Sequence, residues 1–333
     1  MAQPTGRERI QAVLEGKLID RAPAMVWRHF PMDDQSGVEL GRSAVSFQQE
    51  YDWDVVKVTP AQTSFPEVWG GSSTFAGDPL GTRQFVRRAV TSLADWDRIR
   101  ATQPDTAPLE AQIKAVRYIR DVLGADVVIV GTVFSPLSIL RYLAGDEIFL
   151  ATLRLAPDQA TSVLEVITGL VEAATAELMS VGCDGIFLSL FPAGASFLSE
   201  DEYLRFGTPG DRAVLAACDH ALLRIVHLHA SYPWLQLVRE YPCEAVSYDA
   251  WPGAPDLLSA RQVVGAKVLV GGIDQRTWLQ TGSAGEVQVN VRRALDYGAN
   301  HLILAPGCSL SQVVPWGSLR AVRAELAVSG GAR

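Results

Sequence analysis

Cysteine is scarce in this chain. Only Cys183, Cys218, Cys243 and Cys308 occur among 333 residues, and no two have CxxC spacing. A disulfide framework is therefore not expected for so large a core, and a reducing cytoplasm fits better. Clusters of Lys or Arg are absent and the formal net charge is −8. Nucleic acid is not an expected partner, because phosphate neutralisation needs concentrated positive charge. No run approaches the roughly 20 apolar residues of a membrane span. The first nine residues hold no apolar signal-peptide core, so a cytoplasmic protein without membrane association is expected. No GxGxxG follows an early strand, which weakens a dinucleotide-binding reading. Neither a composition shift nor an internal repeat divides the chain, and one domain over residues 1–333 is expected.

What is present is apolar and periodic. Hydrophobic residues make up 48% and charged residues 20%, ample for a large core and too apolar for disorder. Short β-branched runs at 24–27, 53–58, 127–133, 184–190, 222–227, 243–248, 267–271 and 301–304 leave room for a helix between neighbours. Amphipathic segments at 109–119 and 158–180 fill two of those intervals. Near-continuous apolar strands alternating with such helices imply a parallel sheet covered by helices. Eight runs suggest a single (β/α)8, TIM-type barrel. A helical extension over about residues 1–22, a loop excursion over about 61–88 and a frayed tail from 328 complete the expected organisation.

In such barrels chemistry sits at the C-terminal ends of strands. The polar residues there are Arg28, His29, Lys57, Thr132, Ser135, Ser189, His227, His229, Tyr248, Asp249, Asp274 and Cys308. Residues i and i+2 of a strand face the same side, so His227 and His229 can point together into the barrel mouth. Cys308 follows Pro306-Gly307 at another strand end. Two imidazoles and one thiolate are the makings of a catalytic metal site with an open position. Plainer readings stand beside these. Asp274 could cap the next helix, Lys57 could be a solvated rim charge, and His29 could be a core histidine packed between Trp27 and Phe30. His220 and His301 read as structural, as do the cysteines other than Cys308. Glu67 reads as a solvated rim charge.

Residues 6–23, Trp27-Arg28-His29-Phe30-Pro31, Gly182-Cys183-Asp184-Gly185-Ile186, Gly271-Gly272-Ile273-Asp274 and Ala305-Pro306-Gly307-Cys308 carry a resemblance across the whole chain. The sequence resembles the uroporphyrinogen decarboxylase superfamily. That superfamily also holds zinc-dependent corrinoid:coenzyme M methyltransferases and epoxyalkane:coenzyme M transferases, with cobalamin-independent methionine synthase as a relative. The resemblance implies a distorted (β/α)8 barrel, sometimes as a homodimer. The decarboxylase branch carries Arg-Gln-Ala-Gly-Arg-Tyr where this chain retains only Arg28. It has a catalytic Asp where this chain aligns Val56-Lys57-Val58, and Gly-His-Gly where it has Pro306-Gly307-Cys308. A lysine cannot hold pyrrole N–H groups or stabilise a protonated ring, so tetrapyrrole decarboxylation is disfavoured.

The metal-dependent branch uses His-x-Cys and a distant Cys. His227 and Cys308 match, and His229 stands where the first Cys would be. One thiolate fewer raises the net charge of the site by one and makes iron a more plausible occupant than in a two-thiolate site. The resemblance therefore implies a metal-dependent, zinc or iron, methyl or alkyl transferase that activates a small thiol at His227, His229 and Cys308. A corrinoid on a partner protein is one implied donor. In this reading Arg28 and Lys57 bind an anionic group, Ser189 and Asp249 complete the substrate contacts, and Asp249 or Asp274 orients a ligand histidine or serves as a fourth ligand. His29, Lys57, Tyr248 and Asp274 are the expected catalytic groups, with His29 and Tyr248 the ones expected to transfer protons. The alternatives are a lyase acting on a carboxylated small molecule or tetrapyrrole, and a non-catalytic binder of a corrinoid protein or tetrapyrrole.

Overall fold

The computed structural model describes residues 3–17, 19–249 and 254–330. Its strands are β1 (Val55–Val58), β2 (Ser72–Thr74), β3 (Gln84–Arg87), β4 (Val128–Phe134), β5 (Gly185–Leu190), β6 (Leu223–Leu228), β7 (Ala245–Tyr248), β8 (Val268–Ile273) and β9 (Leu302–Pro306). Seven of them form one parallel sheet in the order β1-β4-β5-β6-β7-β8-β9. The run at 24–27 does not become an eighth ladder, which corrects the expected strand count. Leu304 N donates to Pro23 O and Met25 N to Leu304 O, both at 2.9 Å, while Asp54 N donates to Ala24 O at 3.0 Å. The Ala24 N–H goes instead to the Asp54 carboxylate at 2.8 Å. A side chain thus takes the donor that a β1 carbonyl would have accepted, and Pro23 offers no N–H. The segment lies between β9 and β1 on isolated bridges at Ala24 and Arg28.

Alternation along the strands divides the core in two. Val55, Val128, Val130, Phe187, Ile225, Ala245, Val270 and Ile303 pack inside the sheet's curve with Ile10, Val13, Met25 and Trp27. Their neighbours Val56, Ile129, Leu188, Val226, Val246 and Leu269 face the covering helices. The helix Pro157–Ser180 shows how the 3.6-residue period does this, burying Ala160, Val163, Leu164, Ile167, Val171, Ala174 and Leu178 on one face. The N-terminal extension is the helix Gly6–Leu14, started by a Thr5/Glu8 capping box. Its Ile10 and Val13 join the inner cluster. Residues 1, 2 and 18 of the expected extension lie outside the described residues.

The 61–88 excursion is more ordered than a loop. It holds a helical turn, Ser64–Glu67, and the antiparallel pair β2/β3. The Glu67 carboxylate accepts from the Ser73 hydroxyl, tying the turn to β2. Towards the C-terminus, the helix Trp316–Gly330 runs into the expected frayed tail, and 331–333 lie outside the described residues. No helix among the described residues is long and apolar enough to cross a membrane.

One buried carboxyl makes the fold sensitive to pH. Asp211 is fully buried and accepts hydrogen bonds on one oxygen, from Tyr203 Oη at 2.7 Å and Tyr241 Oη at 2.8 Å. Burial outweighs those donors and raises its pKa to about 7 from 3.8. The folded state then binds the proton more tightly than the unfolded chain. This stabilisation is complete below pH 3.8 and is lost as pH rises through 7, on the order of 4 kcal/mol. Melting temperature between pH 4.5 and 8 should therefore fall more steeply in the wild type than in Asp211→Asn. Parallel curves would refute the assignment.

Candidate functional site

The parallel register places one row of inward side chains level across three strands: Ser189 of β5, His227 of β6 and Ser247 of β7. Two small hydroxyl residues flank the imidazole and leave it room. His227, 2% exposed, has its Nδ1 3.1 Å from Ser247 Oγ. That contact leaves Nε2 as the nitrogen able to coordinate. Two residues on and past the strand end, His229 packs at a tilt against Phe191, 4.5 Å between ring centroids. Cys308, just beyond β9, has Sγ 3.5 Å from His229 Nδ1. Donor atoms of His227, His229 and Cys308 all lie within 4.8 Å of one another.

The surroundings suit a metal. Burial, then the neighbouring His229 and Lys57, pushes the His227 pKa well below 6.5. Burial also lowers that of His229, so both rings are neutral and able to ligate. Burial, with Asp249 nearby, lifts the Cys308 thiol to about 12. Behind His229 stands Asp249, fully buried, with Oδ2 3.5 Å from Nδ1. Asp249 is itself clamped by Arg276 through two bonds at 2.5 and 2.6 Å, and by Gln275 Nε2 at 3.1 Å. Three protein donors of N, N and S type, braced from behind and open to a cavity, fit a catalytic zinc site.

The cavity has a volume of about 780 Å³. Of the expected site residues, His29, Lys57, Thr132, Ser189, His227, His229 and Cys308 line it. Lys57 is not a rim charge. It is 7% exposed, and its ammonium sits 4.6 Å from the Phe187 ring and 5.7 Å from the Trp27 ring. Burial lowers its pKa to about 7. His29 is pushed down to about 3 by burial and by Lys57, so it is a neutral imidazole.

Five expected residues lie outside the cavity lining: Arg28, Tyr248, Asp274, Ser135 and Asp249. Trp27 and His29 point in, so Arg28 points out, where it donates to Gln312 Oε1 and lies 5.7 Å from the Trp316 ring. On β7 Ser247 faces inward, so Tyr248 faces outward and donates to Pro255 O at 3.0 Å. Asp274 caps a turn, accepting from Arg276 N at 2.9 Å, Thr277 N at 3.1 Å and Thr277 Oγ1 at 2.6 Å. Tyr248 and Asp274 line a separate, smaller cavity. Ser135 starts the helix Pro136–Ala144 with its side chain on Ser138, and Asp249 is placed against His229 instead of facing the cavity.

The residues that sequence reasoning did not single out come mainly from loops. The 61–88 excursion supplies Gln62, Arg83, Phe85 and Arg88 to the wall, and the segment after β8 supplies Gln275 and Arg276. Spacing offered no signal for these, since loops carry no period. The described lining residues include four basic side chains, Lys57, Arg83, Arg88 and Arg276, and no acidic one. Asp249 and Asp34 behind the wall partly offset Arg276 and Arg83, and Lys57 and Arg88 complete the basic character of the lining.

Comparison with known proteins bears on the family and the fold. Methylcobamide:CoM methyltransferase MtbA of Methanosarcina mazei is 21% identical over 335 residues, covering 96% of this chain and 97% of the relative. Methylcobamide:CoM methyltransferase MtaA of Methanosarcina barkeri is 22% identical over 341 residues, covering 97% of each chain. A solved methyltransferase from Methanosarcina mazei superposes with a TM-score of 0.82 at 17% identity, covering 97% of this chain and 98% of that one. A B12-independent methionine synthase from Shewanella shares the fold at a TM-score of 0.61 and 15% identity, with 93% of each chain covered. Residues 45–326 match the family described as Uroporphyrinogen decarboxylase (URO-D), most of the chain and all seven strands of the sheet, and the chain belongs to that family.

Proposed function

We propose that this chain is a metal-dependent methyltransferase of the URO-D family that transfers a methyl or alkyl group to a small thiol. The observation that carries the reading is the convergence of His227, His229 and Cys308 on one wall of the large cavity. The methylcobamide:CoM methyltransferases similar over nearly the whole chain support it. Bound to those three side chains, zinc, or iron as the second option, would act as a Lewis acid that keeps a substrate thiol in its thiolate form at neutral pH.

The chain's own residues prepare that chemistry. Ser247 and Asp249 fix the two imidazoles in place and hold their orientation before substrate arrives. Phe187 and Phe191 pack against the rings of His227 and His229 and limit their movement. Lys57 Nζ, partly deprotonated at neutral pH, accepts the proton that the thiol gives up. Neutral His29 is a hydrogen-bonding group and not a charge. The basic lining draws in an anionic substrate, with Lys57 taking the part expected of it, while Arg276 stays clamped on Asp249 and Arg28 faces outward.

The same basic lining is what favours the second reading, a lyase for a carboxylated small molecule. One experiment separates the two. Zinc-loaded protein is incubated with methylcobalamin and coenzyme M, and demethylation of the corrinoid is followed by absorbance. Thiol-dependent demethylation, lost when the thiol is omitted, is the expected result. Stoichiometric metal without any thiol-dependent demethylation, for coenzyme M or other small thiols, would overturn the reading and favour the lyase.

A further inference from the structure

The outer part of the cavity is walled by aromatic rings. From His229 the wall continues through Phe191 to Tyr142, 5.1 Å between centroids, and from Tyr142 to Phe134 at 5.9 Å and Phe85 at 6.0 Å. The Arg88 guanidinium covers the Phe85 ring at 4.5 Å and donates to Tyr142 O at 2.6 Å. Lining the same cavity are polar atoms that are buried and make no hydrogen bond: Arg83 Nη1, Gln62 Oε1 and His29 Nδ1. The Arg83 side chain is 10% exposed, and its facing carboxylate, Asp34 Oδ1, stays 3.6 Å from Nη1. Buried donors of this kind are normally satisfied by an acceptor. A volume of about 780 Å³ also exceeds what a two- or three-carbon thiol fills, since cavities of roughly 300–1,000 Å³ hold drug-sized ligands.

We infer that this cavity takes a planar aromatic compound bearing an anionic group, its ring against Phe191, Tyr142 and Phe85 and its anion on Arg83. Ring faces offered edge-on or offset favour an aromatic occupant over an aliphatic one of equal size. Arg83 Nε and Nη2 are held by Ser73 at 3.0 and 3.5 Å, so Nη1 is the donor left for the anion, through one charge-assisted bond. The inference rests on the methyltransfer reading only for which end of the cavity reacts. Binding is measured in metal-free protein without turnover, so either idea can fail while the other stands.

Isothermal titration of the full chain, metal-free and zinc-loaded, with benzoate, cyclohexanecarboxylate and benzamide is the test. Benzoate should bind about tenfold more tightly than cyclohexanecarboxylate, which has the same charge without the ring. Phe85→Leu should abolish most of that preference, and Phe85→Tyr should retain it. Arg83→Gln should weaken benzoate by about tenfold and leave neutral benzamide unchanged. Both substitutions lie in the excursion and not in the barrel core, so folded variants are expected and are checked by circular dichroism. Equal affinity for benzoate and cyclohexanecarboxylate, no benzoate binding at millimolar concentration, or an Arg83→Gln variant with unchanged benzoate affinity would each overturn the proposal.

Discussion

Replacing His227, His229 or Cys308 with Ala is expected to reduce bound zinc from about one ion per chain to a small fraction, with methyl transfer falling by roughly 10³-fold or more. A three-donor site cannot lose one donor and keep its affinity, because two ligands plus solvent hold zinc weakly. Metal content by inductively coupled plasma mass spectrometry, on variants shown to be folded, reads the result. The groups behind the ligands predict a graded series. Ser247→Ala and Asp249→Asn should each weaken zinc by about 10–100-fold without abolishing it. The pH dependence has a definite sign and slope. Burial holds both imidazoles below their ordinary 6.5 and lifts the Cys308 thiol to about 12, so zinc uptake above neutral pH should release one proton. Apparent affinity should then rise about tenfold for each pH unit above neutrality. Wild-type protein that takes up no zinc or iron under anaerobic reconstitution would remove the metal-centred reading altogether.

The largest expected effect on stability lies at the N-terminal end of the sheet's strands. Asp54, just before β1, accepts from Arg9 Nη1 at 2.9 Å, from Arg21 Nη1 and Nη2 at 2.6 and 3.1 Å, and from Ala24 N at 2.8 Å. The three charged side chains are 2–7% exposed. Asp54→Ala leaves two guanidinium groups buried with one fewer counter-charge, and frees the segment that fills the eighth strand position. Breaking a buried pair in this way costs about 3–5 kcal/mol, most of it the penalty of the charges left behind. Thermal melting should show a large drop, while the fraction that remains folded should keep the zinc affinity of the wild type, since His227, His229 and Cys308 come from other strand ends. A loss below about 1 kcal/mol would mean that water reaches the cluster and that it behaves as a surface ion pair.

Much of this arrangement was legible in the residues themselves. The strand period places His227 and His229 on one side, and the eight apolar runs include all seven strands of the sheet. The pattern 158–180 becomes the helix Pro157–Ser180. The same period also set limits that the listing of strand-end polar residues passed over. Trp27, Arg28 and His29 cannot all face one way, nor can Ser247, Tyr248 and Asp249, and in each trio the middle residue points out. Asp274 fell to local capping, which its neighbours Arg276 and Thr277 satisfy directly.

The sequence by itself determined the family, the parallel α/β architecture and which residue types, two imidazoles and a thiol, stand at the strand ends, because periodicity and residue type are local properties. Tertiary structure alone decided how deep Lys57 lies, that Asp249 braces His229 through Arg276, and that the 61–88 excursion brings Arg83 and Phe85 to the cavity. Depth depends on the register between strands, and convergence depends on loops that close over the sheet. Both are set by contacts between residues far apart in the chain, which no local pattern encodes.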